Sequence, residues 1–291
     1  NTVLIDEERQ YTRGDQGPSD GRLLDFETSF DPVQWVESSA EQAYPGLAGV
    51  YRRALIHITT DGENAYVVDF FRVEGGSQHD WVLHGNADHD GSGTVNLPLI
   101  PYGENLLPGV KVDYPEGETD RGDAEGRNPS YAFSQHVSRG EVADGVAATF
   151  SFSESPVEVR THLPGLAGAK IFFGDAPSIR RAEENDALLD CYRMPIFLAR
   201  RKGRSPLWSS FAAVHEPYGN RPFLDDISLV TPKNEKNAVV LRVRHHGVTD
   251  YIVHQAGSPS EAVEMDDLRL KGEVGFVRVR DGAPKMMGLI C

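Results

Sequence analysis

Almost no window of this chain is long enough for a helix without meeting a glycine or a proline. Twenty-nine Gly and 18 Pro are spread through 291 residues, and inside a helix each costs about 1 kcal/mol (Gly) to 3 kcal/mol (Pro) relative to Ala. Between them recur short β-branched and aromatic runs, which suit a pleated, half-buried surface. The chain therefore predicts an all-β fold, a large antiparallel multi-stranded β-sandwich with little helix.

The clearest strands are predicted over 1–5, 50–59, 65–73, 80–84, 147–153, 196–200, 209–215, 226–230, 238–244, 250–254 and 274–280. Several alternate strictly, as where Leu241 and Val243 interleave with Arg242 and Arg244, so that aliphatic groups face in and charges face out. From Tyr51 to His84 the order strand, Asp61-Gly62-Glu63-Asn64 turn, strand, Gly75-Gly76 turn, strand predicts a meander. Only 38–43 and 179–189 suggest helix. Two stretches, 6–21 and 103–129, read as long loops from the sheets rather than as domain linkers. With no repeat and no low-complexity run, a single domain over 1–291 built as a two-sheet sandwich is expected.

Forty-four acidic against 29 basic side chains give a net charge of −15. That argues against a nucleic-acid partner, which needs clustered Lys and Arg. Apolar runs such as 194–199 and 238–241 fall far short of the roughly 20 residues of a membrane helix, so no span is expected. Two cysteines, Cys191 and Cys291, make no disulfide framework. The chain opens on Asn1 rather than Met and without a signal-like apolar region, so its start is expected to be a cut end.

Taken in order, Asn1-Thr2-Val3-Leu4-Ile5-Asp6, Tyr51-Arg52-Arg53, Tyr66 to Val73 with Gly75-Gly76, and His79-Asp80-Trp81-Val82-Leu83-His84 resemble the start of the C-terminal β-sheet domain of the heparinase II/III-like polysaccharide lyases. Pro195 to Arg201, Ser210-Phe211 to Glu216-Pro217-Tyr218, and Val240 to Tyr251 are similar to its later strands. The likeness covers 1–86 well and 195–254 loosely, and leaves 88–184 unplaced. In that family a His precedes the first motif and is assigned to the catalytic centre; this chain begins one residue later.

The resemblance implies a C-terminal β-sandwich whose partner is an N-terminal helical toroid, with the active cleft between them. It implies β-elimination on a uronate-containing polysaccharide: the sugar carboxylate is neutralised, the C5 proton is removed and the 4-linked oxygen is protonated. The toroid supplies most of the proton-transfer groups, so this chain, as one wall of the cleft, is expected to be inactive alone. An anionic polysaccharide or oligosaccharide, a homodimer, and a periplasmic or secreted location follow from the same resemblance. The alternative is a non-catalytic carbohydrate-binding or structural β-sandwich.

Within that frame Asp69, His79 and His84, on consecutive strands around Gly75-Gly76, are candidate ligands of a structural zinc; the plain alternative pairs Asp69 with Arg72 or Arg53. Asp88 to Thr94 resembles the first half of a calcium loop, but Leu99 stands where the bidentate Glu belongs, so calcium is the weaker metal reading. Arg53, His215 and Tyr218 are the candidate substrate-binding residues: a guanidinium that matches carboxylate or sulfate, and a polar-aromatic strand end. Arg52-Arg53, Arg180-Arg181 and Arg200-Arg201 with Lys202 and Arg204 are the tight basic clusters, and solvated faces explain them equally well. His245-His246-Gly247 with Asp250 and His254 reads as structural, because neighbours on a strand face opposite ways, and 248–250 resembles a hairpin turn. Trp35, Trp81 and Trp208 read as core. No nucleophile elbow, Walker loop, dinucleotide fingerprint or His-Glu-x-x-His is present.

Overall fold

The computed structural model describes residues 1–11, 21–60, 62, 64–110, 130–183, 185–233, 238–255, 262–265 and 268–290. Asp61 and Glu63 of the expected Asp-Gly turn, most of the 103–129 loop and Cys291 lie outside them.

Strands dominate, and they form antiparallel sheets. A front sheet has six, in the order β1 (Thr2–Ile5), β6 (Gln78–His84), β13 (Arg193–Lys202), β12 (Lys170–Pro177), β9 (Gln135–Glu141) and β8 (Ile100–Gly103). A middle sheet has eight: β2 (Arg22–Glu27), β3 (Val33–Ser39), β4 (Ala48–Thr59), β5 (Ala65–Gly75), β14 (Leu207–Tyr218), β11 (Glu158–Leu163), β10 (Val146–Phe152) and β7 (Gly91–Val95). A back sheet has five: β15 (Leu224–Val230), β16 (Ala238–His245), β17 (Val248–Gln255), β20 (Val274–Arg280) and β21 (Ala283–Ile290). The short ribbon of β18 (Val263–Met265) and β19 (Leu268–Leu270) covers the outer face of the back sheet.

The all-β expectation holds, but the sandwich has three layers rather than two. Strand β5 shows why. Its Phe71 and Val73 join a core with Val3, Trp81 and Phe197 of the front sheet, while Tyr66, Val68 and Phe70 join a second core with Leu241, Ile252 and Phe276 of the back sheet. A strand buried on both faces reads as a nearly continuous apolar run, as Tyr66 to Val73 does.

The expected three-strand meander also divides. Strands β4 and β5 pair with each other, but the far edge of β5 is taken by β14, and β6 pairs instead with β1 and β13 in the front sheet. Gly75-Gly76 is therefore a corner between layers. Both have positive φ, +141° and +49°, and a Cβ on Gly75 would run into the Leu47 carbonyl.

Helix is limited to single turns. Of the 38–43 candidate only Glu41–Ala43 is helical, because Ser38 and Ser39 complete β3 in register with Arg53 and Arg52. Of the 179–189 candidate, Ile179–Ala182 forms one turn, capped by Ser178 Oγ, and ends where Glu183 adopts φ +49°. The turn expected at 248–250 lies two residues earlier, at His246 and Gly247 (φ +46° and +74°), so Val248 already belongs to β17. On the outer face of the front sheet, Tyr131 donates to Asp80 at 2.6 Å, and Arg200 grips the same carboxylate with two bonds of 2.8 Å. These bonds anchor the residues around Tyr131 over that sheet.

Candidate functional site

Three neighbouring strands of the middle sheet, β4, β5 and β14, each send one polar side chain into the gap facing the front sheet. Asp69 stands in the centre, opposite Leu55 on one side and Ala213 on the other. Arg53, opposite Phe71, and His215, opposite Val67, reach it along opposite diagonals. Arg53 donates from Nε to Oδ1 at 2.9 Å and from a terminal nitrogen to Oδ2 at 2.8 Å, the parallel fork that a guanidinium makes with a carboxylate. Its other terminal nitrogen donates to the Asn1 carbonyl at 3.2 Å and so reaches the start of β1.

His215 places Nε2 3.8 Å from Asp69 Oδ2, shares a 2.9 Å bond between Nδ1 and Thr161 Oγ, and stacks on Trp81 of the front sheet with ring centroids 6.4 Å apart. Asp69 is fully buried, whereas the Arg53 and His215 side chains keep 27 % and 18 % of their exposure. The cluster thus sits at a mouth of the gap. Burial works against ionisation of Asp69, but the nearby His215 ring and the hydrogen-bonded Arg53 guanidinium outweigh it and hold the carboxyl below its usual range. Burial likewise opposes the Arg53 charge, and Asp69 more than restores it.

The three candidate zinc ligands are not brought together. His79 and His84 are five residues apart on β6 and so face opposite sides of the front sheet. His79 points inward, bonded to Ser209 Oγ and the Gly75 carbonyl at 2.8 Å each. Ser209 is four residues along β14 from Ala213, the neighbour of Asp69, a run of about 13 Å. His84 points outward into an apolar cavity of about 390 Å³, lined also by Thr2, Val82, Tyr131, Met194 and Ile196. With both Asp69 oxygens on Arg53, this trio does not fit a metal ion. Among the described residues no group of three or more His, Cys, Asp or Glu is placed to hold one.

A carbonyl can only accept, so His84 Nδ1 carries the proton in its 2.7 Å bond to Gly85. Burial lowers the pKa of His84, and in the neutral ring Nε2 keeps its lone pair.

Of the candidate substrate residues, Arg53 and His215 meet at Asp69, and Tyr218 does not. Three residues beyond His215 on the same strand, Tyr218 turns to the back-sheet core, with Arg160 5.5 Å over its ring. In the calcium-like loop, Asp88 and Asp90 pair with Arg180 and Arg181 at 2.6 and 2.7 Å, so two features that the sequence kept apart neutralise each other. Trp35 and Trp81 are core residues, but Trp208 is 47 % exposed.

Two buried polar centres hold residues that the sequence marked as structural, His245, Asp250 and His254, with partners that it did not identify. Asp250 accepts from Tyr66 across the sheet interface at 2.8 Å, and from His245 and Arg278 at 2.9 and 2.7 Å. Arg72, 1 % exposed, bonds to His254. The available signal was a charged residue inside the Phe70-Phe71-Arg72-Val73 run, where no solvent face exists to receive it.

No protein-family model matches the chain, and no curated protein matches it. Solved structures do. Heparan sulfate lyase HepC from Pedobacter heparinus aligns at 10 % identity and TM-score 0.40, over 87 % of this chain and 29 % of that one. A heparinase III aligns at 12 % identity and TM-score 0.41, over 88 % and 29 %. The heparinase III that is the BT4657 gene product aligns at 11 % identity and TM-score 0.41, over 88 % and 30 %. The chain is similar in structure to these lyases over most of its own length and spans less than a third of theirs.

Proposed function

We propose that this chain is the β-sandwich portion of a heparinase II/III-like polysaccharide lyase, that it forms one wall of the active cleft, and that the helical toroid of such enzymes stands against it. One observation carries the reading. The separate motifs that resemble the family lie far apart in sequence and on different strands, yet Asn1, Arg53, Asp69, Trp81 and His215 converge on one mouth of the gap between front and middle sheets. A merely shared β pattern would give no reason for those residues to meet.

The substrate in this reading is a uronate-containing polysaccharide, met outside the cytoplasm, and the reaction is β-elimination. Arg53 and His215 are the part-exposed basic side chains beside Asp69 at that mouth, and they are offered to the glycan's carboxylate or sulfate groups. Tyr218, on the opposite face, takes no part. Proton removal from C5 needs a base held within about 3 Å of that carbon's hydrogen, and the toroid supplies it, so the chain alone turns nothing over.

The test compares this chain with the same chain carrying the residues that precede it in its gene, on heparan sulfate and on alginate. Elimination leaves an unsaturated uronate with strong ultraviolet absorbance. Product from the longer protein and none from the chain alone is expected. No product from either, with binding confined to neutral glycans, would replace the lyase reading with that of a carbohydrate-binding module.

A further inference from the structure

We infer that Arg53 supplies at Asp69 the positive charge that a structural metal ion would otherwise supply, and so ties the start of β1 to the middle sheet without a metal. The inference goes beyond the lyase reading and stands or falls independently of it.

A fully buried carboxylate needs a compensating cation, because charge withdrawn from water without one is far too costly to persist. At Asp69 both oxygens lie 2.8–2.9 Å from two parallel N–H groups of one guanidinium. A divalent ion on that carboxylate would have to occupy the same space against a like charge.

His215 adds the second part of the argument. Its Nε2 is 3.8 Å from Asp69 Oδ2, too long for a hydrogen bond. Two donors on one zinc, each about 2.0–2.1 Å from it in tetrahedral geometry, stand about 3.3 Å apart. Asp69 and His215 are thus spaced nearly as two ligands of one ion, and the Arg53 guanidinium holds the carboxylate in the ion's stead. The arginine does one thing an ion could not do at that range. Its third nitrogen extends to the Asn1 carbonyl, so a single side chain links three points: β4, Asp69 on β5, and the start of β1 in the front sheet.

The inference predicts that a shorter ligating side chain at position 53 opens a metal site. In Arg53→His the removed guanidinium leaves Asp69 and His215 with a third donor on the neighbouring strand. The experiment titrates cobalt(II) into the wild type and into Arg53→His, reading the visible bands of tetrahedral cobalt, and measures the metal content of wild-type protein purified without chelator. Wild type is expected to carry well under one ion per chain and to melt at the same temperature with and without EDTA. Arg53→His is expected to bind about one cobalt per chain, and to lose it when Asp69→Asn is added.

Wild-type protein carrying about one ion, lost in Asp69→Asn, would overturn the inference. So would a folded Arg53→His that binds no cobalt. If Arg53→His does not fold, the wild type decides alone: melting unmoved by EDTA and by added zinc supports the inference, and a shift of several degrees with either overturns it.

Discussion

Arg72 of the middle sheet crosses the interface and donates twice to His254 of the back sheet, from Nε to the ring Nδ1 at 3.1 Å and from a terminal nitrogen to the carbonyl at 2.6 Å. Because Nδ1 accepts, the neutral ring carries its proton on Nε2, which lies 3.3 Å from Glu37 Oε1. Glu37 in turn accepts from Arg52 at 2.7 Å. Phe70 stacks on the imidazole with the planes 8° apart, so the contact is held by shape as well as by charge.

Replacing Arg72 with Met keeps most of the aliphatic stem and removes every donor. The buried His254 nitrogen and carbonyl then lose their partner with no water to replace it, and the expected loss is about 3 kcal/mol. Urea denaturation measures it. A loss below about 0.5 kcal/mol, the range of exposed sites, would mean that the two sheets are held by their apolar faces alone.

Histidines set the acid limb of stability. Burial lowers the pKa of His79, His84 and His254, with hydrogen bonds to Gly75, Gly85 and Glu37 opposing it. Each of these rings binds a proton more readily unfolded than folded, so stability is full above the unfolded value near 6.5 and falls as pH drops below it, until the folded pKa is reached. The urea midpoint should begin to decline near pH 6.5, well above the carboxylate range. His254→Phe should decline less steeply between pH 6.5 and 5. A midpoint flat down to pH 5 in the wild type would sink this account.

At lower pH, Asp250 takes over. Burial raises its pKa, but hydrogen bonds from Arg278 and His245 outweigh this and hold it below the usual carboxylate value. The stability it contributes is present above about pH 4 and lost as pH falls through the depressed value. Asp250→Asn removes the negative charge and leaves the guanidinium of Arg278 facing a neutral amide. The expected loss at pH 7 is about 3–5 kcal/mol, shrinking as pH falls through the depressed value, because there the wild type loses the same charge. A loss independent of pH would point to shape rather than charge.

The parts of this architecture that were legible in the sequence are those decided locally. Alternation in Leu241 to Arg244 marks β16 correctly, whereas grouping His79 and His84 as ligands of one zinc overlooks the five-residue spacing that puts them on opposite faces of one strand. Layer assignment is not local. Gly75-Gly76 reads as a hairpin turn, and it becomes a corner only because β14, more than 130 residues later, occupies the edge of β5 that β6 would have taken. The same long-range pairing decides the site: Arg53 and Asp69 could be matched from the sequence, but His215 reaches them only through the register of β14 with β5. Edge strand β2 escaped notice because Leu23 and Phe26 stay exposed and a bulge at Leu24 breaks its alternation.

The corner itself gives the sharpest contrast between two glycines of positive φ. A Cβ at Gly247, φ +74°, would meet nothing within 4 Å, so Gly247→Ala carries only the cost of the left-handed backbone, about 1 kcal/mol. At Gly75, φ +141°, the added carbon would strike the carbonyl and carbon of Leu47 and the Cα of Ala48, which are backbone atoms of β4 and the segment leading into it. Neither neighbour can swing aside without breaking the pairing of β4 with β5. Gly75→Ala should therefore cost more than about 3 kcal/mol. Gly76→Ala should also be damaging, because its Cβ would lie 2.5 Å from Asp6 Oδ2 and 2.6 Å from the Ile5 side chain. Asp6 Oδ1 accepts from the backbone nitrogens of Ser77 and Gln78 at 2.8 Å each, so displacing that carboxylate releases the start of β6 from the end of β1. Thermal melts of the three variants should rank Gly247→Ala above both corner variants. Equal melting temperatures would mean that the two layers can join at other angles.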